Sequence, residues 1–473
     1  MKKNLPLSKT ASGTLPATVL TAAVLCALLF TLWVPYGAKA QYREDPVDRE
    51  LERRKSDLGS GDEAKITEFA KGYYLARWTH HENLAKLHTF RRETAADVAA
   101  LRSENKKTCQ RVLVRLFAEM AQAEDLIPAV RYNAALAMGM FNERESGTGG
   151  GGDAGIPYFP AIGVMAEVFN ASEKEERGNK VPDYVVLAIL INLDRYAALG
   201  VPDPADRKAV ADVFLQTLDP AFGKKHNYSA ETTAWFQKKA VDGLAAFGTP
   251  SQGESDTIVL DTFIRLLRDK SIDSTVQCAV LRGIGTMKFN GKDDFDFEPL
   301  VSVIARAALY LNQKEIAFID EENIRSQVES TQGAGRTGAM PAMTGGNAAN
   351  TETVVSRVKY DAESLRASID GGNGKGGVLP LLTKESQAPL KEALESLLGR
   401  IDRTNNFLDF GEQGIADDFD PKKIRRPKAA KGAEQTFMVN STMVRYFLAD
   451  ETDFYQDLAE SLAAASAPPA PAN

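Results

Sequence analysis

Three of the four histidines in the 473-residue chain lie close together in "THHENLAKLH", as His80, His81 and His88. Two histidines on one helix bind a divalent ion best at positions i and i+4, as in the zinc-protease helix motif. Leu84 and Ala85 occupy those positions here, and His88 lies about 10 Å along the helix axis from His81. We therefore predict no metal site at these residues. His80, on the apolar side of the predicted helix, is interpreted as a packed, hydrogen-bonded side chain.

Two glycine-rich segments could present backbone N–H groups to a phosphate, "GTGGGGDAG" at 147–155 and "GGNGKGG" at 371–377. A P-loop, however, needs Gly-x-x-x-x-Gly-Lys followed by Ser or Thr, and here Lys375 is followed by Gly376. No β-rich run precedes either segment. We interpret both as flexible loops and predict no cofactor.

Charged runs give equally little evidence for a site. The acidic runs "DDFDFE" at 293–298 and "ADDFD" at 416–420 lack the twelve-residue ligand register of an EF-hand, so we interpret them as solvated turns, with a weak calcium site as the alternative. The basic run "PKKIRRPKAAK" at 421–431 is interpreted as a solvated loop. Its alternatives are contact with an acidic partner, with anionic lipid or with an acidic face of the same protein.

No nucleophile arrangement is recognisable either. The chain has no Gly-x-Ser-x-Gly elbow, and outside the cluster the histidines reduce to His226. We predict that the protein is not an enzyme. The alternative is a hydrolytic or metal-dependent enzyme that uses His80, His81 or His88.

The first forty residues resemble an export signal. They carry four lysines and no acid, so the rest of the chain has 53 basic and 64 acidic residues and a formal net charge of −11, which argues against a nucleic-acid partner. A basic start is followed by an uncharged run at 19–34, Pro35 and the small-x-small sequence Ala38-Lys39-Ala40. We predict an extracytoplasmic protein, periplasmic or secreted. The alternative to cleavage after Ala40 is a membrane anchor formed by residues 15–34.

Cysteine usage adds a prediction of buried thiols. Cys26 lies in the apolar run, which leaves Cys109 and Cys278 inside helix-like stretches, where cysteine behaves as a small hydrophobic residue. A disulfide between them is the alternative in an oxidising compartment.

Helical patterning dominates the elements that would position these residues. Residues 41–61 are charged and poor in large apolar side chains, so they are interpreted as a tether. The residues that follow are predicted to form an amphipathic helix, because their apolar side chains recur along one side of it, and a second helical stretch is predicted at 95–105. The apolar side of the first consists of Ile66, Phe69, Tyr73, His80, Leu84 and Leu87.

Beyond residue 105 the predicted helices come in pairs, and one more helix at 298–311 could close the array. In the third pair, Ser229 or Thr232 is the predicted cap of the second helix and Gly248 its stop. The pairs are "TCQRVLVRLFAEMAQAE" with "VRYNAALAMGMF", "YFPAIGVMAEVFNA" with "VPDYVVLAILINLDRYAALG", "PADRKAVADVFLQTL" with "SAETTAWFQKKAVDGLAAFG", and "SDTIVLDTFIRLLRD" with "SIDSTVQCAVLRGIGTMKF".

The second helices of these pairs share one spacing of small and large residues, which predicts close helix packing. The second pair fits this spacing more loosely than the others. The matching positions are Arg131, Ala134, Ala137, Met138, Gly139 and Phe141 in the first pair; Tyr184, Leu187, Leu190, Ile191 and Asn192 in the second; Gln237, Ala240, Gly243, Leu244, Ala245 and Phe247 in the third; and Gln277, Val280, Gly283, Ile284, Gly285 and Met287 in the fourth.

This pattern resembles the HEAT-repeat family over about residues 105–315, with an irregular armadillo-like array as the alternative. Members of that family usually carry an arginine or lysine inside the second helix. In this chain such a residue appears only as Arg131, which could also have a role beyond packing. The resemblance implies an all-α solenoid whose concave surface, lined by successive second helices, binds a partner.

The C-terminal part differs in character from the helical pairs. Residues 328–353 are rich in glycine, alanine and small polar residues and are interpreted as a flexible linker. Helices are predicted at 353–369, 384–405 and 435–464, and the tail at 465–473 is predicted to be disordered.

Taken together, these features predict an all-α protein with a helical array at 62–315 and a C-terminal helical region at 354–464. The predicted function is a non-catalytic extracytoplasmic scaffold that binds a protein or peptide. A self-associating structural component of the cell envelope is the alternative from another class.

Overall fold

The computed structural model of the protein describes residues 42–145, 155–173, 181–251, 257–289, 295–334, 350–371, 376–416 and 439–465. The predicted export signal, the basic run at 421–431, almost all of the first glycine-rich loop and most of the predicted linker lie outside these residues.

Sixteen α-helices and one two-stranded antiparallel sheet form the described part of the chain, which confirms the all-α prediction. The sheet pairs β1 (Asn142–Arg144) with β2 (Ile156–Pro157). The helices are α1 Glu63–Phe69, α2 Ala76–Thr79, α3 Leu87–Ala99, α4 Ser103–Gln122, α5 Pro128–Met138, α6 Ala161–Glu173, α7 Asp183–Leu199, α8 Pro204–Thr217, α9 Pro220–His226, α10 Ala230–Ala246, α11 Ile258–Arg268, α12 Ser274–Thr286, α13 Glu298–Ala334, α14 Thr351–Asp370, α15 Ala388–Phe410 and α16 Ser441–Ala465.

Each predicted helix pair is a packed pair in the structure: α4 with α5, α6 with α7, α8 with α10 and α11 with α12. A fifth pair, α13 with α14, follows them. The second helices of the five pairs, α5, α7, α10, α12 and α14, contact one another in chain order. Among the first helices, α4 contacts α6, α6 contacts α8, and α11 contacts α13.

The small residues of the second helices lie where neighbouring helices approach most closely. A Cβ atom at Gly243 would overlap the ring of Phe214 from α8, and one at Gly283 would overlap Phe263 from α11. Both glycines therefore admit an aromatic ring from the first helix of their own pair. This geometry agrees with the prediction of close packing at these positions.

The position two residues further along faces the next second helix. A Cβ at Gly139 would overlap the side chain of Asn192 on α7, and one at Gly285 would overlap the backbone of Ala367 on α14. Asn192 also donates a buried hydrogen bond of 2.9 Å to the carbonyl of Ala135. The repeated spacing thus serves packing both within a pair and between pairs.

Helix ends follow ordinary capping chemistry. The predicted cap Ser229 accepts a hydrogen bond from the Thr232 amide at 3.2 Å, and Gly248, at φ 64°, follows the end of α10. Asp203 and Asp273 cap α8 and α12 in the same way.

The predicted amphipathic helix through His80 is wrong, because the chain is broken there. His80 is extended, with ψ 131°, and the stretch divides into α1, a π-helical turn, α2, a 3-10 turn at His81–Lys86 and α3. The cause is a contact from residues 42–50, which we call the N-terminal strap. The amide of its Asp45 donates to Thr79 Oγ1 at 2.8 Å, and the Asp45 carbonyl lies 2.9 Å from His80 Nε2.

The interpretation of residues 41–61 as a tether is also wrong for its described part. Backbone hydrogen bonds join Arg43 to Asp125 and Asp48 to Gly72, each at 2.8 Å. A 3-10 helix, Leu51–Gly59, then buries Leu51 and Leu58. The burial of these two leucines helps to dock the otherwise charged segment against α1 and α4, and Arg54 adds an ion pair with Glu68 of α1.

The boundaries predicted for the C-terminal part are shifted in the structure. Helix α13 runs without a break through position 315 to Ala334, so residues 328–334, predicted as linker, are helical. Helix α16 lies along α13 and also contacts α14 and α15. The C-terminal helices therefore cover the last pair of the array and do not form a separate unit beyond a linker.

Candidate functional site

The histidine cluster is drawn into the contact with the N-terminal strap. His81 Nδ1 lies 2.6 Å from Glu44 Oε1, and this carboxylate raises the pKa of His81. His80 has the hydrogen bond that was predicted for it, to Asp45. In the described part of the chain, no group of three His, Cys, Asp or Glu side chains is arranged to hold a metal ion.

Cys109 and Cys278 are buried free thiols, as predicted. Burial raises the pKa of Cys109 to about 12 and holds that of Cys278 well above its usual value. A thiol that stays protonated at neutral pH is a poor nucleophile. Neither residue is therefore suited to covalent catalysis.

Arg131 joins the two helices of its own pair. It is 7% exposed, and its Nε donates to the carbonyl of Ala121, in the last turn of α4, at 3.0 Å. Gln277, at the matching position of the fourth pair, donates to the carbonyl of Asp269 just after α11 at 3.3 Å. In the first and fourth pairs, this position thus satisfies a carbonyl group that the end of the first helix leaves without a helical partner.

The second helices expose a common side, which we call the second-helix face. Its residues recur every three or four positions, or after seven in α12, and are half-buried or exposed. They are Tyr132 and Leu136 of α5; Tyr184, Leu187 and Ile191 of α7; Trp235, Lys238 and Asp242 of α10; Thr275 and Arg282 of α12; and Ser356, Tyr360 and Glu363 of α14.

Side chains also bridge adjacent second helices. Lys239 of α10 forms a 3.4 Å ion pair with Asp194 of α7. The Arg282 guanidinium lies 4.0 Å from the ring centroid of Tyr360 and donates to Ser364 Oγ at 3.0 Å, so α12 is held to α14. The face is aromatic and aliphatic on α5 and α7, and from α10 onward it is mainly polar or charged, apart from Trp235 and Tyr360.

A buried group of ionisable side chains lies where α12, α13 and α14 meet, and we call it the Asp361 cluster. Its members are Cys278, Lys314, Glu315, Arg357 and Asp361. Arg357 donates two hydrogen bonds to the Glu315 carboxylate, at 2.8 and 2.6 Å. The Cys278 thiol donates to Asp361 Oδ1 at 3.1 Å, whereas Asp361 Oδ2 is buried without a hydrogen-bond partner.

Burial, together with the nearby charge of Glu315, raises the pKa of Asp361 to about 7. Burial likewise lowers the pKa of Lys314. A carboxyl group with such a pKa in a cleft is the kind of group that marks functional sites, although structural ion-pair networks produce the same shift. This cluster is therefore the strongest titratable candidate in the described structure.

A cleft of about 640 Å³ opens above the cluster, between the N-terminal ends of α12 and α14. Thr275, Ser356 and Tyr360 belong to both the cleft and the second-helix face. Most of the residues that line the cleft carry hydroxyl, amide or carboxylate groups, although apolar atoms make up the larger part of the exposed lining, and the nearly buried Asp361 is among them. The lining residues are Ser274, Thr275, Glu315, Asn350, Glu352, Thr353, Ser356, Arg357, Tyr360 and Asp361.

Sequence reasoning missed this cluster, although α14 carries a signal of it. Val354, Val358, Asp361 and Leu365 follow one another at spacings of four, three and four, so a carboxylate occupies the buried stripe of the helix. A buried acid needs a partner, but nothing in the sequence identifies that partner as residues from α12 and α13.

No protein-family model, curated protein or solved structure matches the chain. Within the residues described above, none of the helices combines the length and apolarity required to cross a bilayer.

Proposed function

We propose that the protein is a non-catalytic, extracytoplasmic scaffold, a HEAT-like α-solenoid that binds a protein or peptide along the second-helix face. The observation that supports it best is the ordered contact of five second helices, each of which exposes one side. Stacked helix pairs bind partners through such extended surfaces. The export-signal resemblance of residues 1–40 supports the location.

The composition of the face also favours partner binding. Tyrosine, tryptophan and arginine supply most of the strong contacts in protein interfaces. The face carries Tyr132, Tyr184 and Trp235, and Trp235 is 40% exposed although large apolar side chains are usually covered. A cysteine nucleophile is not favoured, because burial keeps the thiols of Cys109 and Cys278 protonated.

The proposal is tested by capture of partners on purified protein from extracts of the cells that produce it. We expect a specific partner to be retained by the unaltered chain and lost with Tyr184→Ala and Trp235→Ala. Tyr446→Ala is the matched control, because Tyr446 is 63% exposed but lies on α16, outside the face. Equal retention by all three variants would refute the assignment of the face.

Self-association is the second candidate function, and one feature favours it. Ile324 and Val328, one helical turn apart near the end of α13, are 63% and 49% exposed. Light scattering over a wide concentration range tests this candidate. A mass that increases with concentration for the unaltered chain, but not for Ile324→Ser, would support it, and a constant monomer mass would eliminate it.

A further inference from the structure

We propose that the cleft between α12 and α14 is a subsite for a cationic side chain, an arginine or lysine of the bound partner. The proposal rests on the function proposed above and specifies one chemical feature of the partner. That feature is a basic residue in the part of the partner that lies nearest α14.

The charges around the cleft are predominantly negative. Glu315, Glu352 and Asp361 line it together with a single cation, Arg357. Outside the lining, the charge of Asp273 acts on both Arg357 and Lys314. Even with Asp361 protonated, three carboxylates lie near two cations, and a further positive charge would be attracted to the cleft.

Asp361 provides independent evidence for a ligand. Its side chain is 8% exposed, and one carboxylate oxygen accepts only the weak thiol donor of Cys278 while the other has no hydrogen-bond partner. A buried polar atom without a partner is costly, and a charged N–H donor compensates a carboxylate better than a neutral one. A cation entering from the cleft would hold Asp361 in its ionised form.

The rest of the lining suits an organic cation. Among the described residues no set of three metal-ligand side chains is assembled here or elsewhere. Ser274, Thr275, Asn350 and Ser356 instead provide hydroxyl and amide oxygens at the rim. A guanidinium group has five N–H donors, and an ammonium group has three, so either can use several oxygens at once. The bidentate Arg357–Glu315 pair shows that guanidinium–carboxylate geometry fits this part of the structure.

The test uses Nα-acetyl-argininamide as the probe and Nα-acetyl-citrullinamide, its uncharged isostere, for comparison, with binding followed by ligand-detected NMR. We expect the arginine compound to bind with a dissociation constant on the order of 1 mM and the citrulline compound about tenfold more weakly. Glu352→Gln, at the exposed rim, and Asp361→Asn should each weaken arginine binding. Glu104→Gln, an exposed substitution on α4, should leave it unchanged. Equal binding of the two compounds, or no effect of Glu352→Gln, would overturn the subsite.

This outcome is distinguishable from failure of the scaffold. If a captured partner is lost with Tyr184→Ala but retained fully by Glu352→Gln, the scaffold stands and the subsite is wrong. If the arginine compound binds as expected but no partner depends on the second-helix face, the subsite stands and the scaffold is wrong.

Discussion

The raised pKa of Asp361 predicts an unusual pH dependence of stability, and Asp361→Asn removes it. In the folded chain this carboxyl titrates at about 7, whereas in an unfolded chain it titrates at about 3.9. Between these values the folded state retains a proton that the unfolded state has released. This contribution to the free energy of unfolding is therefore largest at low pH and decreases as the pH rises from about 4 to about 7.

The magnitude follows from the width of that interval. Each pKa unit corresponds to about 1.4 kcal/mol, so the contribution decreases by about 3 kcal/mol between pH 5 and pH 8, most of it below pH 7. Asparagine keeps the shape of the side chain but has no proton to lose. We expect the stability of Asp361→Asn relative to the unaltered chain to be about 3 kcal/mol more favourable at pH 8 than at pH 5.

Urea unfolding followed by circular dichroism at the two pH values measures this difference. Asp402→Asn is the matched control, because Asp402 is half exposed and ion-paired with Arg366, so its contribution should change by no more than about 1 kcal/mol. Parallel pH profiles for Asp361→Asn and the unaltered chain would refute the reasoning, because they would mean that the buried carboxyl is ionised throughout.

Two further substitutions test the packing and the buried ion pair. Arg357→Met leaves Glu315, which is 2% exposed, without its partner and should destabilise the chain by about 3–5 kcal/mol in urea unfolding. The control Arg325→Met removes an exposed ion pair and should cost under about 1 kcal/mol. Equal effects of the two substitutions would contradict the burial argument. Gly243→Ala should destabilise the chain by about 1–3 kcal/mol, because the new Cβ meets the phenylalanine ring of α8. The control Gly163→Ala has open space around it and should be neutral or stabilising. The reverse order of the two variants in thermal melts would refute the close-packing interpretation.

The helical pairs could be predicted because their signals are local and repeated. The apolar periodicity, the cap at Ser229 and the glycine at 248 each act within a few residues of their own position. The same holds for Gly243 and Gly283, whose spacing alone indicates close approach of another helix, although not which side chain fills the space. Local rules of this kind survive folding when no distant segment competes for the same backbone groups.

The region around His80 shows what happens when a distant segment does compete. Its apolar spacing predicts one helix, but Asp45 of the N-terminal strap makes hydrogen bonds with both Thr79 and His80. These two bonds involve side chains, but the backbone amide of His81 also donates to Glu44 Oε1 of the strap, at 3.0 Å, in place of a helical carbonyl. The helix ends at this point and restarts after His80. Tertiary contact overrides local preference here, and the contact comes from a segment whose charge had suggested a tether.

The Asp361 cluster could not be predicted from the sequence, for a different reason. Cys278, Glu315 and Asp361 come from three helices, and two of these continue past the boundaries that composition suggested. The sequence does not show that α13 pairs with α14. From the sequence alone, Glu315 would be placed at the end of a helix and Asp361 would be a polar residue in a separate region. The pairing extends the array by one more second helix, α14. It is this extension that places an acidic cleft at the α14 end of the second-helix face, whereas the aromatic and aliphatic side chains of that face lie mainly on α5 and α7.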